Sequence, residues 1–340
     1  MSDPIVSRVY RDGVMESMHC AVFAISDPAG RIIWSGGDID RPVYIRSCSK
    51  IFQTLPIIET GAADRFGLTD AEIAIITSSH SGEPIHQQTV RSILTKIGKS
   101  ESDLLCGAQP PYADAYRRSM YAARESFGVI HNNCSGKHAG MLALALHIGV
   151  PTEGYLEPTH PVQVLMKGAY CRVAGVSESE VAIGHDGCDA PAFVTTTRAA
   201  ARGAARIADP SSLPEESLRT AVERVYRSVS ANPYLIGGAA RFCTAFNQAA
   251  SGRAIGKVGA EAMYLIADRS HKTGIVMKLN DGATRGMFPF VAAMALKLGI
   301  IKEPLSPEMA EFLHPVIKNY VGRPIGTVEV PPELIDSLPV

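Results

Sequence analysis

Strand-forming segments stand at both ends of this chain, and helical patterns fill the middle. Residues 19–34 alternate apolar and polar positions and turn at Asp27-Pro28-Ala29-Gly30, which predicts a hairpin. Residues 262–267 and 274–279 predict a second antiparallel pair across Asp268-Arg269-Ser270-His271-Lys272-Thr273. Between them, helical spacing marks residues 47–60, 84–97, 137–147, 162–173, 198–207, 215–228 and 238–250, with terminal helices at 290–298 and 307–313. Pro56 predicts a kink or an early stop in the first of these. Residues 73–77 and 181–183 predict short strands, and 131–136 a loop. This order is not a regular alternation of strand and helix. It predicts an α+β fold, with one antiparallel sheet completed by N- and C-terminal strands and a helical insertion. A length of 340 residues suits about two domains or one elaborated domain. The expectation is a single unit over 1–340, with a helical subdomain around 85–250. Residues 209–214, Asp-Pro-Ser-Ser-Leu-Pro, are the most linker-like stretch, and they join helix to helix.

Charge narrows the function. Thirty-three Lys and Arg stand against 34 Asp and Glu, a net charge of −1, which disfavours a nucleic-acid binder or a polybasic membrane-surface protein. Apolar runs such as Phe290–Leu296 fall short of the roughly 18 residues a spanning helix needs. The opening residues carry an acid and no long apolar stretch, so the expected location is the cytoplasm. Seven scattered cysteines there predict core thiols, metal ligands or catalytic groups rather than a disulfide frame.

Four segments carry chemistry. Ser47-Cys48-Ser49-Lys50 is an S-x-x-K at a helix start, which places a hydroxyl and an amine on one helical face. A neutral lysine can take the serine proton, although Ser47 would serve equally as a helix cap. Thr77-Ser78-Ser79-His80-Ser81-Gly82-Glu83 is a polar cluster before a helix, either a capping loop or a second catalytic hydroxyl. His80 invites a Ser–His pair, but neighbours in one loop rarely face each other. Asn132-Asn133-Cys134-Ser135-Gly136-Lys137-His138 resembles a phosphate loop only superficially, because its glycine spacing is wrong and His138 replaces the hydroxyl residue. Cys134, with Cys188 in Gly184-His185-Asp186-Gly187-Cys188-Asp189, could instead build a Zn²⁺ site, or the two are unrelated buried thiols. Lys257, in Gly256-Lys257-Val258-Gly259, could reach a site from a strand, and Lys272-Thr273-Gly274 competes for that role from a turn.

Taken in order, Arg46–Thr54, Thr77–Glu83, His131–Met141, Gly184–Cys188 and Gly256–Gly259 resemble the rhizobial-type, or class 3, L-asparaginases over about residues 5–330. The resemblance implies an α/β/α sandwich similar to serine glutaminases and class A β-lactamases, and a homodimer. It implies two Ser–Lys tandems, Ser47 with Lys50 and Ser79 with Lys257, and a Zn²⁺ held by Cys134, Lys137 and Cys188 with water. Asp186 and His138 flank those ligands and are expected to bind substrate or orient the metal site, with a plain loop hydrogen bond as the competing role.

The expected reaction is hydrolysis of L-asparagine to L-aspartate and ammonia by acyl transfer. Ser47 would attack, Lys50 would take its proton, and Ser79 would relay protons or act as nucleophile itself. A β-lactamase-like or peptidase-like serine hydrolase, or a non-catalytic zinc-dependent binding protein on the same scaffold, stand as alternatives.

Overall fold

The computed structural model describes residues 2–339 and divides into two compact units. One comprises residues 2–43, 195–209 and 245–339, and the other residues 44–194 and 210–244. The Asp-Pro-Ser-Ser-Leu-Pro stretch therefore begins where the chain passes from one unit to the other.

The first unit holds an eight-stranded sheet. In spatial order its strands are Val316–Lys318, Pro324–Glu329, Ile5–Arg11, Val14–Ser26, Thr273–Leu279, Met263–Asp268 and Ala254–Gly259, and Ile32–Gly36 also pairs with Val14–Ser26. Their pairings are antiparallel, and all strands come from the two ends of the chain, as the sequence order predicts. The 262–279 hairpin also forms as expected, with Asp268 opposite Thr273. The Thr197–Ala208 helix packs against Thr273–Leu279 so closely that a Cβ on Gly274 would lie 2.0 Å from Ala201 O. Only glycine lets the two backbones meet there.

The second unit is largely helical. Residues 73–77, expected as a strand, form the end of the Asp70–Thr77 helix. The reason lies at its start. Thr69 and Glu72 make a capping box, in which the Glu72 N–H donates to Thr69 Oγ1 at 3.3 Å and the Thr69 N–H donates to Glu72 Oε2 at 2.7 Å. The helix is enclosed by neighbours, so Ile73, Ala74, Ile75 and Ile76 are all buried and leave no polar face to show a helical period. Burial of the three isoleucines contributes about 1.5–3 kcal/mol each.

Against this helix lies Ser135–Ile148, buried through its first eleven residues and ended by Gly149 in the left-handed region. Gly136 makes the approach possible, because a Cβ there would lie 2.3 Å from Ile75 O. The stretch expected as one helix over 47–60 is broken. It consists of a 3₁₀ turn Arg46–Ser49, a short helix Lys50–Gln53, and Leu55–Glu59, in which Pro56 takes an early position where no N–H is needed. Ala182–His185 and Pro191–Thr196 pair antiparallel and carry between them the turn containing Cys188.

Candidate active site

The helical unit brings three sequence-distant segments together around Lys50. Its side chain is 1% exposed, and its Nζ has three neighbours: Ser78 O at 2.6 Å, Ser79 Oγ at 3.1 Å and Asn133 O at 3.3 Å. Two of these are carbonyls and only accept. An ammonium donates to all three. A neutral amine donates its two N–H groups to the carbonyls and turns its lone pair to the Ser79 hydroxyl. The arrangement thus suits a lysine that alternates between holding a proton and taking one from Ser79.

Ser47 stands in the 3₁₀ turn, three residues before Lys50, with 9% of its surface exposed. Among the described residues its Oγ makes no hydrogen bond, to Lys50 or to any other group. The contact expected within Ser47–Lys50 is therefore made instead between Lys50 and Ser79, and Ser47 is left with an unengaged hydroxyl.

The turn is held open by Arg46, whose φ of +46° is in the left-handed region that a non-glycine residue occupies only when its surroundings require it. Its guanidinium donates to Asp186 Oδ1 from Nη2 at 2.8 Å and from Nε at 3.2 Å, and Ser49 Oγ donates to its carbonyl at 2.7 Å. Burial alone would raise the Asp186 carboxyl, but Lys137 and Arg46 hold it below its ordinary value. Arg46 was not singled out in the sequence, although its place next to Ser47 was the available signal.

Ser79 lies in the buried loop after the Asp70–Thr77 helix, and its N–H donates to Ile236 O at 3.2 Å. His80, beside it, is no partner for a catalytic serine. Its Nδ1 accepts the Gly82 N–H at 3.1 Å, so Nε2 carries the proton and donates to Ser135 Oγ at 3.0 Å. Burial, then the nearby His86 and Lys50, push His80 well below the ordinary histidine range and keep it neutral. It braces the loop.

Cys134, Lys137 and Cys188 converge. Cys134 precedes the buried helix, with its N–H donating to Asn132 Oδ1 at 2.8 Å, and Lys137 follows one turn later. Lys137 Nζ lies 3.3 Å from Cys188 Sγ. The neighbouring Cys188 thiol and burial push Cys134 up, while Cys134 and then Lys137 draw Cys188 down. Burial would lower Lys137, but Cys188, Cys134 and Asp186 outweigh it and hold the lysine above its usual range. Two sulfur donors and one nitrogen donor fit a borderline-soft cation such as Zn²⁺, provided Lys137 gives up its proton. Among the described residues no group of three His, Cys, Asp or Glu is placed to hold a metal. Burial, and then the charges of Cys134 and Cys188, push the Cys106 thiol up to about 12, and its Sγ donates to Val129 O at 3.5 Å.

His138 is fully buried behind this cluster. Tyr155 OH accepts the Leu105 N–H at 2.9 Å and gives its own proton to His138 Nδ1 at 2.7 Å, which leaves His138 Nε2 without a protein partner. Burial first, and then Lys137, lower this imidazole to about 3.

Lys257 belongs to the other unit and is described by itself. It is buried in the Ala254–Gly259 strand and donates to Val258 O at 2.9 Å. Its competitor Lys272 is 65% exposed and pairs with Asp209 at 3.2 Å.

The sequence profile of the family described as L-asparaginase II matches residues 7–330. No curated protein matches the chain. Among solved structures, a putative β-lactamase from Bacteroides dorei DSM 17855 is 11% identical with a TM-score of 0.41, covering 76% of this chain and 84% of that one. A β-lactamase from Mycobacterium bovis is 12% identical with a TM-score of 0.35, covering 77% and 88%. A simvastatin synthase mutant from Aspergillus terreus is 11% identical with a TM-score of 0.38, covering 76% and 86%.

Proposed function

The chain belongs to the L-asparaginase II family, and from that membership and the site geometry we propose that it hydrolyses L-asparagine to L-aspartate and ammonia through a serine ester. The observation that carries the mechanism is the set of three contacts around Lys50 Nζ. Ser47 has the unengaged hydroxyl and is the nucleophile. Ser79, held by Lys50, passes the Ser47 proton to the amine, and Lys50 returns a proton to the leaving ammonia. Water then repeats the sequence on the ester. Arg46, fixed by Asp186, holds the turn that presents Ser47. Lys257 is retained as a second catalytic lysine on the family resemblance and on its burial.

Cys134, Lys137 and Cys188 would hold a Zn²⁺. When bound, it would supply positive charge for placing the substrate. This chain's own part is to keep both sulfurs and the amine together at the start of one buried helix and in one turn. Asp186 is the flanking residue best placed to act on that cluster, since it touches Arg46 and acts electrostatically on Lys137. His138 stays behind it, against Tyr155.

Substrate and homodimer assembly follow the family resemblance; among the described residues no helix is long and apolar enough to cross a membrane. The test is ammonia release from L-asparagine and L-glutamine side by side. A one-methylene difference is worth only about 1–3 kcal/mol in a pocket, so a preference for asparagine of about 10-fold or more supports the assignment. Equal or better use of glutamine reduces it to a general amidohydrolase, and nitrocefin hydrolysis without ammonia release favours the β-lactamase-like alternative.

A further inference from the structure

We propose that Glu83 is a positioning residue for Ser79 and Lys50, its carboxylate clamping residues 234–239 onto the loop that carries Ser79. The inference rests on the hydrolytic reading of Ser79 and Lys50, and it gives a role to the one acid in the polar cluster at residues 77–83.

Ser79 Oγ stays 3.1 Å from Lys50 Nζ only while the backbone of its loop is held. That backbone runs beside a segment more than 150 residues further along the chain, and the two are joined at three levels. The Ser79 N–H donates to Ile236 O at 3.2 Å. Ser81 Oγ donates to Gly237 O at 2.7 Å. The Glu83 carboxylate then accepts the Ala239 N–H on Oε2 at 3.1 Å and the Tyr234 hydroxyl on Oε1 at 2.8 Å. Tyr234 and Ala239 stand on either side of Ile236 in the sequence, so one carboxylate fixes both flanks of the carbonyl that holds Ser79.

The fit is close. Gly238 has a φ of +113°, and a Cβ there would lie 2.3 Å from Glu83 Oε2 and 2.7 Å from Ser81 Oγ, so only glycine lets the segment pass. The buried His86 ring accepts the Glu83 N–H on Nδ1 at 3.2 Å and donates from Nε2 to Tyr234 O at 3.3 Å, and it stacks on Tyr234 with 5.8 Å between centroids. Burial, and then Glu83, push the Tyr234 phenol up to about 12, so it keeps the proton it donates.

Glu83 also stands just before the Pro84–Lys96 helix, where an acid is an ordinary stabiliser of a helix start. Its two side-chain hydrogen bonds lead instead to Tyr234 and Ala239. Hydrogen bonds to a carboxylate are about twice as strong as neutral ones, so their loss frees the Ile236 carbonyl and Ser79 with it. Because Glu83 acts through Ser79, the effect falls on proton transfer, and so on kcat rather than KM.

The test compares full-length wild type with Glu83→Ala, Glu83→Gln and Tyr234→Phe, by amide hydrogen exchange without substrate and by steady-state hydrolysis of L-asparagine. In Glu83→Ala the amides of residues 79–82 should exchange about 10-fold faster or more, while those of the Ser135–Ile148 helix keep their native rate. Its kcat should fall about 100-fold, with KM changed by less than about 3-fold. Glu83→Gln keeps an oxygen for the Ala239 N–H and an N–H for the Tyr234 oxygen, so its kcat should return to within about 5-fold of wild type. Tyr234→Phe removes one of the two bonds and should fall between them, which also decides the matter if Glu83→Ala does not fold. Native exchange at residues 79–82 in Glu83→Ala overturns the proposal. So do faster exchange with native kcat, a raised KM with kcat unchanged, or equal losses in the Gln and Ala variants. A wild-type chain that releases no ammonia from L-asparagine overturns the hydrolytic reading instead, and the exchange rates then judge the clamp by themselves.

Discussion

Replacing Gly136 with alanine should damage the site without altering any catalytic residue itself. The added Cβ would lie 2.3 Å from Ile75 O and 2.8 Å from Ile75 C, where ordinary contact begins at 3.4 Å. Both clashing atoms are backbone, so no side chain can swing aside. The Ser135–Ile148 helix must therefore shift by about 1 Å relative to Asp70–Thr77. One helix carries Lys137 and follows Cys134, and the other leads into Ser78 and Ser79. Overpacking of this kind costs about 1–3 kcal/mol. Alanine recovers about 1 kcal/mol of helix propensity, so the net loss of stability should be about 0–2 kcal/mol. A misplacement of about 1 Å in a catalytic constellation costs about 100-fold in rate. Turnover is thus the sensitive readout, and the urea midpoint the control. A Gly136→Ala enzyme with native kcat and an unchanged or raised midpoint would refute the claim that this helix contact sets the site geometry.

Three further outcomes follow from the same geometry. Asp186 is held below its ordinary value of 3.8, so its stabilisation is full above that pH and is lost as pH falls through the lower folded value. Asp186→Asn should cost about 1.5–3 kcal/mol at neutral pH, a gap that closes in strong acid; an unchanged gap at low pH would contradict the Arg46 and Lys137 pairing. Lys257→Met should reduce turnover by about 100-fold or more, whereas Lys272→Met should alter stability by less than about 1 kcal/mol and leave turnover intact. The opposite pattern in steady-state kinetics would move the role to the turn lysine. Cys134→Ser should abolish stoichiometric zinc binding measured by elemental analysis and raise KM more than it lowers kcat, and retained zinc would remove Cys134 from the ligand set.

Much of the sheet was legible because its strands announce themselves locally. The Asp27–Gly30 and Asp268–Thr273 turns both lie between alternating runs. The Ile5–Arg11 and Val14–Ser26 pair carries an equally local signal. Its tip is Asp12-Gly13, an Asp-Gly dipeptide with both residues at positive φ, which suits a tight hairpin turn. The Asp70–Thr77 helix failed for a different reason. A short apolar run enclosed on all sides has no period to detect, and only the Thr69–Glu72 cap distinguishes it from a strand.

In the site, residue types were legible but their partners were not. Spacing places Ser47 and Lys50 on one helical face, yet the chain there is a 3₁₀ turn running into a short helix. The Lys50 side chain is drawn to carbonyls at Ser78 and Asn133, whose positions depend on tertiary packing that no local pattern encodes. The same holds for Arg46 with Asp186.

The central claim is that Ser47 carries the acyl group and Ser79 relays its proton to Lys50. Acid quenching of the enzyme during turnover of L-asparagine, followed by peptide mass mapping, tests it most directly. The account predicts one aspartyl group esterified to Ser47, absent in Ser47→Ala and present at a reduced level in Ser79→Ala. An aspartyl ester on Ser79, or full turnover in Ser47→Ala, would contradict it.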